Sequence, residues 1–167
     1  MSYNIYTTEG LILSSIPLRE ADRVYSILTK DFGLIRGTAT GVRKGHSKLR
    51  GVLEPISLVN VSLVRGKEYW RITSAEPIKT IKPVVEILKP LAVLEKLVQG
   101  EASNPELFEA LKEKLNDFEP KNENFEIKLV AEILFHLGYL KQEDLKLNSK
   151  ELIRAINKGL EASHLTN

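Results

Sequence analysis

Arg43, Lys44, Lys48 and Arg50 put four permanent positive charges into eight positions, inside the segment Gly41-Val42-Arg43-Lys44-Gly45-His46-Ser47-Lys48-Leu49-Arg50-Gly51. No acidic residue occurs between Asp31 and Glu54, so nothing nearby in sequence neutralises them. Such a run can follow an irregular phosphate backbone, because each cation displaces a condensed counterion and an arginine forks onto two phosphate oxygens. Its three glycines give it the conformational freedom to do so. The plain alternative is a solvated basic loop with no partner. A phosphate cradle of the P-loop type is excluded, since Gly-x-x-x-x-Gly-Lys-Ser/Thr does not occur, and Gly-x-Gly-x-x-Gly is absent as well.

Catalytic chemistry finds little support. The chain has no cysteine, which removes thiol nucleophiles, disulfides, Fe–S clusters and Cys-ligated zinc together. His46 lies in the basic segment, His136 on a helical stripe with Glu132, and His164 in the tail, none with metal-ligand company. No metal and no cofactor is therefore expected, and no nucleophile elbow or paired-carboxylate motif is evident. Glu9, Glu20, Asp22, Asp31 and Glu54 are dispersed among basic residues and read as salt-bridge partners. Tyr25, Tyr69 and Trp70 are candidate platforms for stacking bases. Tyr69 and Arg71 share one strand face while Trp70 and Ile72 share the other, so Trp70 reads as core and Tyr69 as the surface stacker.

The net charge of +2 over 167 residues conceals an asymmetry. Residues 1–80 carry 12 basic and 7 acidic side chains, a net +5; residues 81–167 carry 12 and 15, a net −3. Seven of the eight arginines fall in the first half, among them Arg36, Arg65 and Arg71. One half is thus suited to a polyanion and the other to a different role. With 43% apolar and 28% charged residues the composition is that of a globular protein. No secretory signal is read between Met1 and Gly10 and no 18-residue apolar run occurs, so the expected setting is cytoplasmic, without membrane contact.

These residues need elements to position them, and the pattern changes near Ile81–Pro83. Before it, Thr8–Ile16, Arg23–Lys30, Leu34–Val42, Leu53–Arg65 and Tyr69–Ser74 read as strands. Val59, Val61 and Leu63 alternate with Asn60 and Ser62, and turns fall at Asp31-Phe32-Gly33 and Arg65-Gly66-Lys67. Five short strands predict a small antiparallel barrel or sandwich, and closure into a barrel leaves no unpaired edge. After Pro83 the period is helical. Val84–Gln99 contains Pro90, which is expected to bend or split it. A second helix starts at Asn104-Pro105-Glu106 and runs to about Phe118. A third spans Phe125–Leu137 with Gly138 as its cap. A last one is capped by Asn148 and Glu151, with Leu152, Ile156 and Leu160 on one face. The tail beyond Ser163 is expected to fray. The apolar faces of this half pack mainly on one another, although a groove edged by lysines would suit an acidic-hydrophobic peptide.

The order of residues also carries a resemblance. Thr8-Glu9-Gly10-Leu11-Ile12-Leu13, Arg19-Glu20-Ala21-Asp22-Arg23-Val24 and Leu28-Thr29-Lys30-Asp31-Phe32-Gly33-Leu34-Ile35-Arg36 resemble the N-terminal domain of the RecO recombination-mediator family. So do Gly41-Val42-Arg43-Lys44 and Lys48-Leu49-Arg50-Gly51-Val52-Leu53-Glu54-Pro55. Glu95-Lys96-Leu97, Asn104-Pro105-Glu106-Leu107-Phe108 and Phe135-His136-Leu137-Gly138-Tyr139 are similar to its looser helical pattern, so the resemblance covers about residues 5–140. It implies an α+β protein: an N-terminal five-stranded OB-fold β-barrel, residues 1–80, that binds DNA, followed by a small all-helical domain, residues 81–167. It further implies a non-enzymatic role in DNA repair and recombination. Such a protein binds single- and double-stranded DNA, anneals complementary strands and, with RecR and the C-terminal tail of single-stranded DNA-binding protein, loads the RecA recombinase. It would associate with the nucleoid when bound to DNA. Family members usually continue from Leu-Gly-Tyr into a Cys-rich zinc module. Here Leu140 leads to a short Cys-free helix, so no zinc is expected, the chain reads as a shortened form, and the partner-tail groove loses any part the missing region supplies.

The expected nucleic-acid contacts are Arg43, Lys44, Lys48 and Arg50, followed by Arg36, Arg65, Tyr69 and Arg71. Two other readings compete. A protein-interaction adaptor would dock an acidic protein on the basic barrel without binding DNA, and an RNA-binding OB module would prefer RNA over DNA of the same sequence.

Overall fold

A computed structural model describes residues 2–164. The expected fraying of the tail concerns residues that, from 165 on, lie outside the described ones. The chain forms two compact units, one running to Pro83 and taking in Gly100–Asn104, the other made of Val84–Gln99 and the residues from Pro105 on.

The first unit is a closed barrel of five strands: β1 (Ile5–Pro17), β2 (Arg23–Thr29), β3 (Gly33–Ala39), β4 (Ser57–Val64) and β5 (Trp70–Thr80), in the order β1-β2-β3-β5-β4. β1 serves two neighbours. Its residues Ile5–Leu11 pair with β4 and Gly10–Pro17 with β2, and a register shift between Ile12 and Ser14 bends it between the two. Four pairings are antiparallel, but β3 and β5 meet in parallel through Gly37↔Trp70 and Thr38↔Arg71, which the expectation of an antiparallel barrel missed. The reason is parity: strands alternating in direction around a ring of five must leave one like-directed pair.

The period-two pattern of β4 behaves as predicted. Val59, Val61 and Leu63 are buried, Asn60 is exposed and Ser62 half-buried. They join Ile12, Ile27, Ile35, Trp70 and Ile72 in the barrel core, each aliphatic contributing about 1.5–3 kcal/mol. Several bounds differ from the sequence reading: β1 begins at Ile5 rather than Thr8, β3 ends at Ala39 rather than Val42, β4 begins at Ser57 rather than Leu53, and β5 continues to Thr80 rather than ending at Ser74. Beyond Ile72 no β5 residue is fully buried, so no alternation signals that stretch; backbone pairing with β4 carries it. Pro77 is tolerated because β5 meets β3 only through Trp70 and Arg71, leaving that side an edge.

Gly33 is where the barrel takes in the distant segment Gly100–Asn104. Its φ is +69°, and a Cβ there would sit 2.3 Å from the Ala102 carbonyl oxygen. Ser103 Oγ donates to the Lys30 carbonyl at 3.2 Å beside it. Thr29, fully buried, braces the same turn by accepting from Phe32 N–H at 3.0 Å and donating to the Gly33 carbonyl at 2.8 Å. Gly33→Ala is therefore expected to destabilise the protein by about 1–3 kcal/mol from backbone strain alone, with the clash added. The urea midpoint should fall accordingly, and a shift worth under about 0.5 kcal/mol would contradict this packing.

The second unit comprises α1 (Val85–Leu97), α2 (Pro105–Asn116), α3 (Phe125–His136), a 3-10 turn (Gln142–Lys146) and α4 (Ser149–Ala162). α1 runs through Pro90 without splitting, giving up one i→i−4 hydrogen bond while Pro90 is buried. α2 starts on Pro105, as the Asn-Pro-Glu signal predicts. α3 ends in a Schellman closure: Tyr139 N–H donates to the Leu134 carbonyl at 2.8 Å and Gly138 N–H to that of Phe135 at 3.0 Å, with Gly138 at φ +86°. Asn148 Oδ1 accepts from Glu151 N–H at 3.0 Å and caps α4, which buries Leu152 and Ile156. His136 Nε2 lies 3.5 Å from Glu132 Oε2, as their one-turn spacing predicts.

Candidate nucleic-acid interface

The basic segment connects β3 to β4, and it is anchored rather than free. Asp22, read from the sequence as an ion-pair partner, instead accepts a 2.7 Å hydrogen bond from Gly41 N–H through Oδ1. Arg43 N–H donates to the Ala21 carbonyl at 3.0 Å, so the root of the segment is tied to the β1–β2 connection. Val42 and Leu53 are buried in the barrel core, and Leu49 and Val52 pack against it. Where four apolar residues face inward, the charged residues between them must face water. Arg43, Lys44, Lys48 and Arg50 are all exposed.

At the base of this segment is a pocket of about 470 Å³. Its charged wall is Arg23, Arg43, Arg50 and Glu54, and Tyr25, Ser15, Val42, Leu53 and Pro55 complete it. Arg23 is held in place by Ser15, donating from Nε to Oγ at 3.0 Å and from Nη2 to the carbonyl at 3.4 Å. Two of its five N–H donors are thereby used and three are left. The turn delivering Glu54 and Pro55 passes through Ile56 at φ +66°, unfavourable for a β-branched residue; it is held by full burial of the side chain and by Ile56 N–H donating to the Ile12 carbonyl at 2.9 Å.

Tyr25, named from the sequence as a candidate stacking platform, is only 4% exposed and belongs to the barrel core. Its ring is not available to a base. Burial raises its phenol above the ordinary 10.0, Arg23 pulls it back down and Glu54 adds to the rise. It remains a protonated donor at neutral pH. Because the folded state holds this proton more tightly than the unfolded chain, its contribution to stability is complete below about pH 10 and is lost as pH rises further. Tyr25→Phe is expected to show a shallower loss of thermal midpoint between about pH 9 and 11 than the parent protein. Equal losses would refute the assignment.

The other expected contacts are placed separately. Arg36 is exposed on β3. Tyr69 is half-buried and lines a shallower depression of about 260 Å³ with Arg19 and Lys67. Arg71 is exposed, with its guanidinium 5.7 Å from the centre of the Tyr3 ring. Arg65 is engaged structurally, stacking on the Trp70 ring at 4.0 Å and pairing with Glu101 at 2.9 Å. Trp70 is core, in agreement with its strand face. Arg23, which is not among the contacts expected from the sequence, lines the pocket. Its alternation with Tyr25 on β2 is the one signal that places both on the same face.

Among the described residues no group of three or more His, Asp or Glu is placed to hold a metal ion, and no helix is long and apolar enough to cross a membrane.

A five-stranded barrel closed in the order β1-β2-β3-β5-β4, followed by helices, defines an OB-fold protein of the α+β class, here with an arginine-lined pocket beside its β3–β4 connection. Comparison with known proteins narrows this class. The family described as recombination protein O, N terminal, matches residues 1–81. The DNA repair protein RecO of Nostoc sp. strain PCC 7120 is 34% identical over 142 residues, 79% of this chain and 48% of that protein. The DNA repair protein RecO of Synechococcus sp. strain JA-2-3B'a(2-13) is 34% identical over 154 residues, 82% of this chain and 54% of that protein. That of Rubrobacter xylanophilus is 38% identical over 87 residues, 52% and 35% of the two chains. Residues 1–81 thus belong to the RecO N-terminal family, and the similarity continues into the helical unit. The chain spans about half the length of the Nostoc and Synechococcus relatives it matches.

Proposed function

We propose that this chain acts in DNA repair as a non-enzymatic recombination mediator, binding single- and double-stranded DNA, annealing complementary strands and aiding the loading of RecA onto strands coated by single-stranded DNA-binding protein. The observation that carries this reading is the convergence of Arg23, Arg43 and Arg50 on one pocket, at the root of a segment that adds Lys44 and Lys48. Cations on this surface neutralise phosphates of two strands at once and lower their mutual repulsion. Base pairing then supplies specificity, so the protein needs no readout of base edges. Arg36, Tyr69 and Arg71 extend the contact surface, and Arg65 joins it only by leaving Glu101.

In this reading residues 1–80 form the DNA-binding domain, and residues 81–167 serve protein partners: RecR and, through a groove edged by lysines despite the negative balance of this half, the acidic tail of single-stranded DNA-binding protein. The similarity to DNA repair proteins RecO supports the repair role. The test is annealing of complementary strands precoated with single-stranded DNA-binding protein. Acceleration over the spontaneous rate is the expected result. Failure with coated and bare strands alike would overturn the mediator reading.

A further inference from the structure

The pocket beside the basic segment has features that general phosphate-backbone contact does not require. A backbone track needs exposed cations along a surface; this is a half-open recess of about 470 Å³, a volume within the range that holds small ligands (about 300–1,000 Å³). Tyr25 presents to it the hydroxyl of an otherwise buried side chain, and among the described residues no hydrogen bond reaches that hydroxyl. Arg23 is already oriented by Ser15 and has donors to spare, while Arg43 and Arg50 are supplied by the β3–β4 segment.

The charge of the wall is also specific. Three arginines and Glu54 sum to +2. An internal phosphodiester carries one negative charge, whereas a phosphate monoester carries about −1.5 to −2 at neutral pH and offers three acceptor oxygens. Two guanidinium forks and one phenol can engage those oxygens together. An internal phosphate would lack one charged oxygen and would carry a nucleotide on each side. From the convergence of three arginines on one recess, its net charge and the Tyr25 hydroxyl that no described residue engages, we infer that Arg23, Arg43, Arg50 and Tyr25 form a binding site for a phosphate monoester, the terminal phosphate of a DNA strand. Resting on the DNA-binding reading above, this adds recognition of strand ends to it.

The test is fluorescence anisotropy at about 0.15 M salt with one oligonucleotide sequence in three forms: 5′-phosphate, 3′-phosphate, and hydroxyl at both ends. One phosphorylated form is expected to bind about tenfold or more tightly than the hydroxyl form, from one further charge and one charge-assisted hydrogen bond. Deoxynucleoside 5′-monophosphate should abolish the difference by competition at lower concentration than inorganic phosphate does; the reverse order would make the site one for free phosphate and overturn the assignment to strand ends. Arg50→Gln, at an exposed position where folding is not at stake, should reduce the ratio of affinities, and so should Tyr25→Phe. Equal affinity for all three forms overturns the inference while leaving DNA binding intact. If hydroxyl-ended DNA does not bind at all, the DNA-binding reading fails separately. Direct titration with the nucleoside monophosphate then decides the pocket: binding lost in Arg50→Gln supports it, and no binding overturns it.

Discussion

Trp70→Ala is expected to lower the stability of the protein by about 3–5 kcal/mol, the range for truncating a large buried aromatic side chain. Trp70 is 3% exposed, and its ring meets Tyr6 edge-on at 5.7 Å and Phe32 at 5.1 Å between centres. On another side Arg65 lies over it at 4.0 Å, and its indole N–H donates to Glu101 Oε1 at 2.9 Å. The same Glu101 pairs with Arg65 through its other oxygen, so one carboxylate closes a three-residue cluster that ties Gly100–Asn104 into the barrel unit. Truncation to Ala opens a cavity and removes the aromatic contacts together. Trp70→Phe keeps most of the packing and loses the hydrogen bond to a charged acceptor, so a smaller loss of about 1–3 kcal/mol is expected. Glu101→Gln breaks an ion pair exposed to solvent and should cost no more than about 1 kcal/mol. Urea unfolding of the three variants measures this order. A Trp70→Ala loss below about 1 kcal/mol would mean that the cluster does not hold the barrel.

The second large effect concerns binding. Replacing Arg43, Lys44, Lys48 and Arg50 together by Ala is expected to flatten the salt dependence of single-stranded DNA binding by up to about 2.8 units of log K against log salt, at about 0.7 per phosphate neutralised. Expressed as affinity, these four cations account for about a 50-fold loss between 50 and 200 mM salt, which the variant should lack. Because all four are exposed, stability should stay within about 0.5 kcal/mol of the parent, separating lost binding from lost folding. An unchanged slope would remove the β3–β4 segment from the mechanism. Arg50→Gln alone tests the pocket, while the fourfold variant tests the whole basic surface.

Much of this architecture was legible in the sequence because local chemistry repeats with the period of the element it builds. Alternation at Val59, Val61 and Leu63 marks a strand with one buried face, and Asn148 with Glu151 marks a helix start. Asn104-Pro105-Glu106 and Gly138 are equally local signals, satisfied by backbone groups within a few residues. The β5 extension was not legible, since an exposed strand held by backbone pairing leaves no hydrophobic pattern to read. The anchoring of the basic segment was missed for a related reason: Val42, Leu49 and Leu53 are scattered among charges and glycines, and only the barrel core shows what they pack against.

From the order of residues alone it follows that positive charge gathers in the first half, that five strands precede four helices, and that no cysteine chemistry is available. Which charges meet is set in three dimensions. Closure of the ring sets Arg23 beside Arg43 and Arg50, buries the ring of Tyr25, and lends Arg65 to Trp70 and Glu101. Nearly all of these partnerships join residues far apart along the chain. Their proximity follows from strand register and from the one parallel pairing that a five-membered ring requires, and nothing local encodes either.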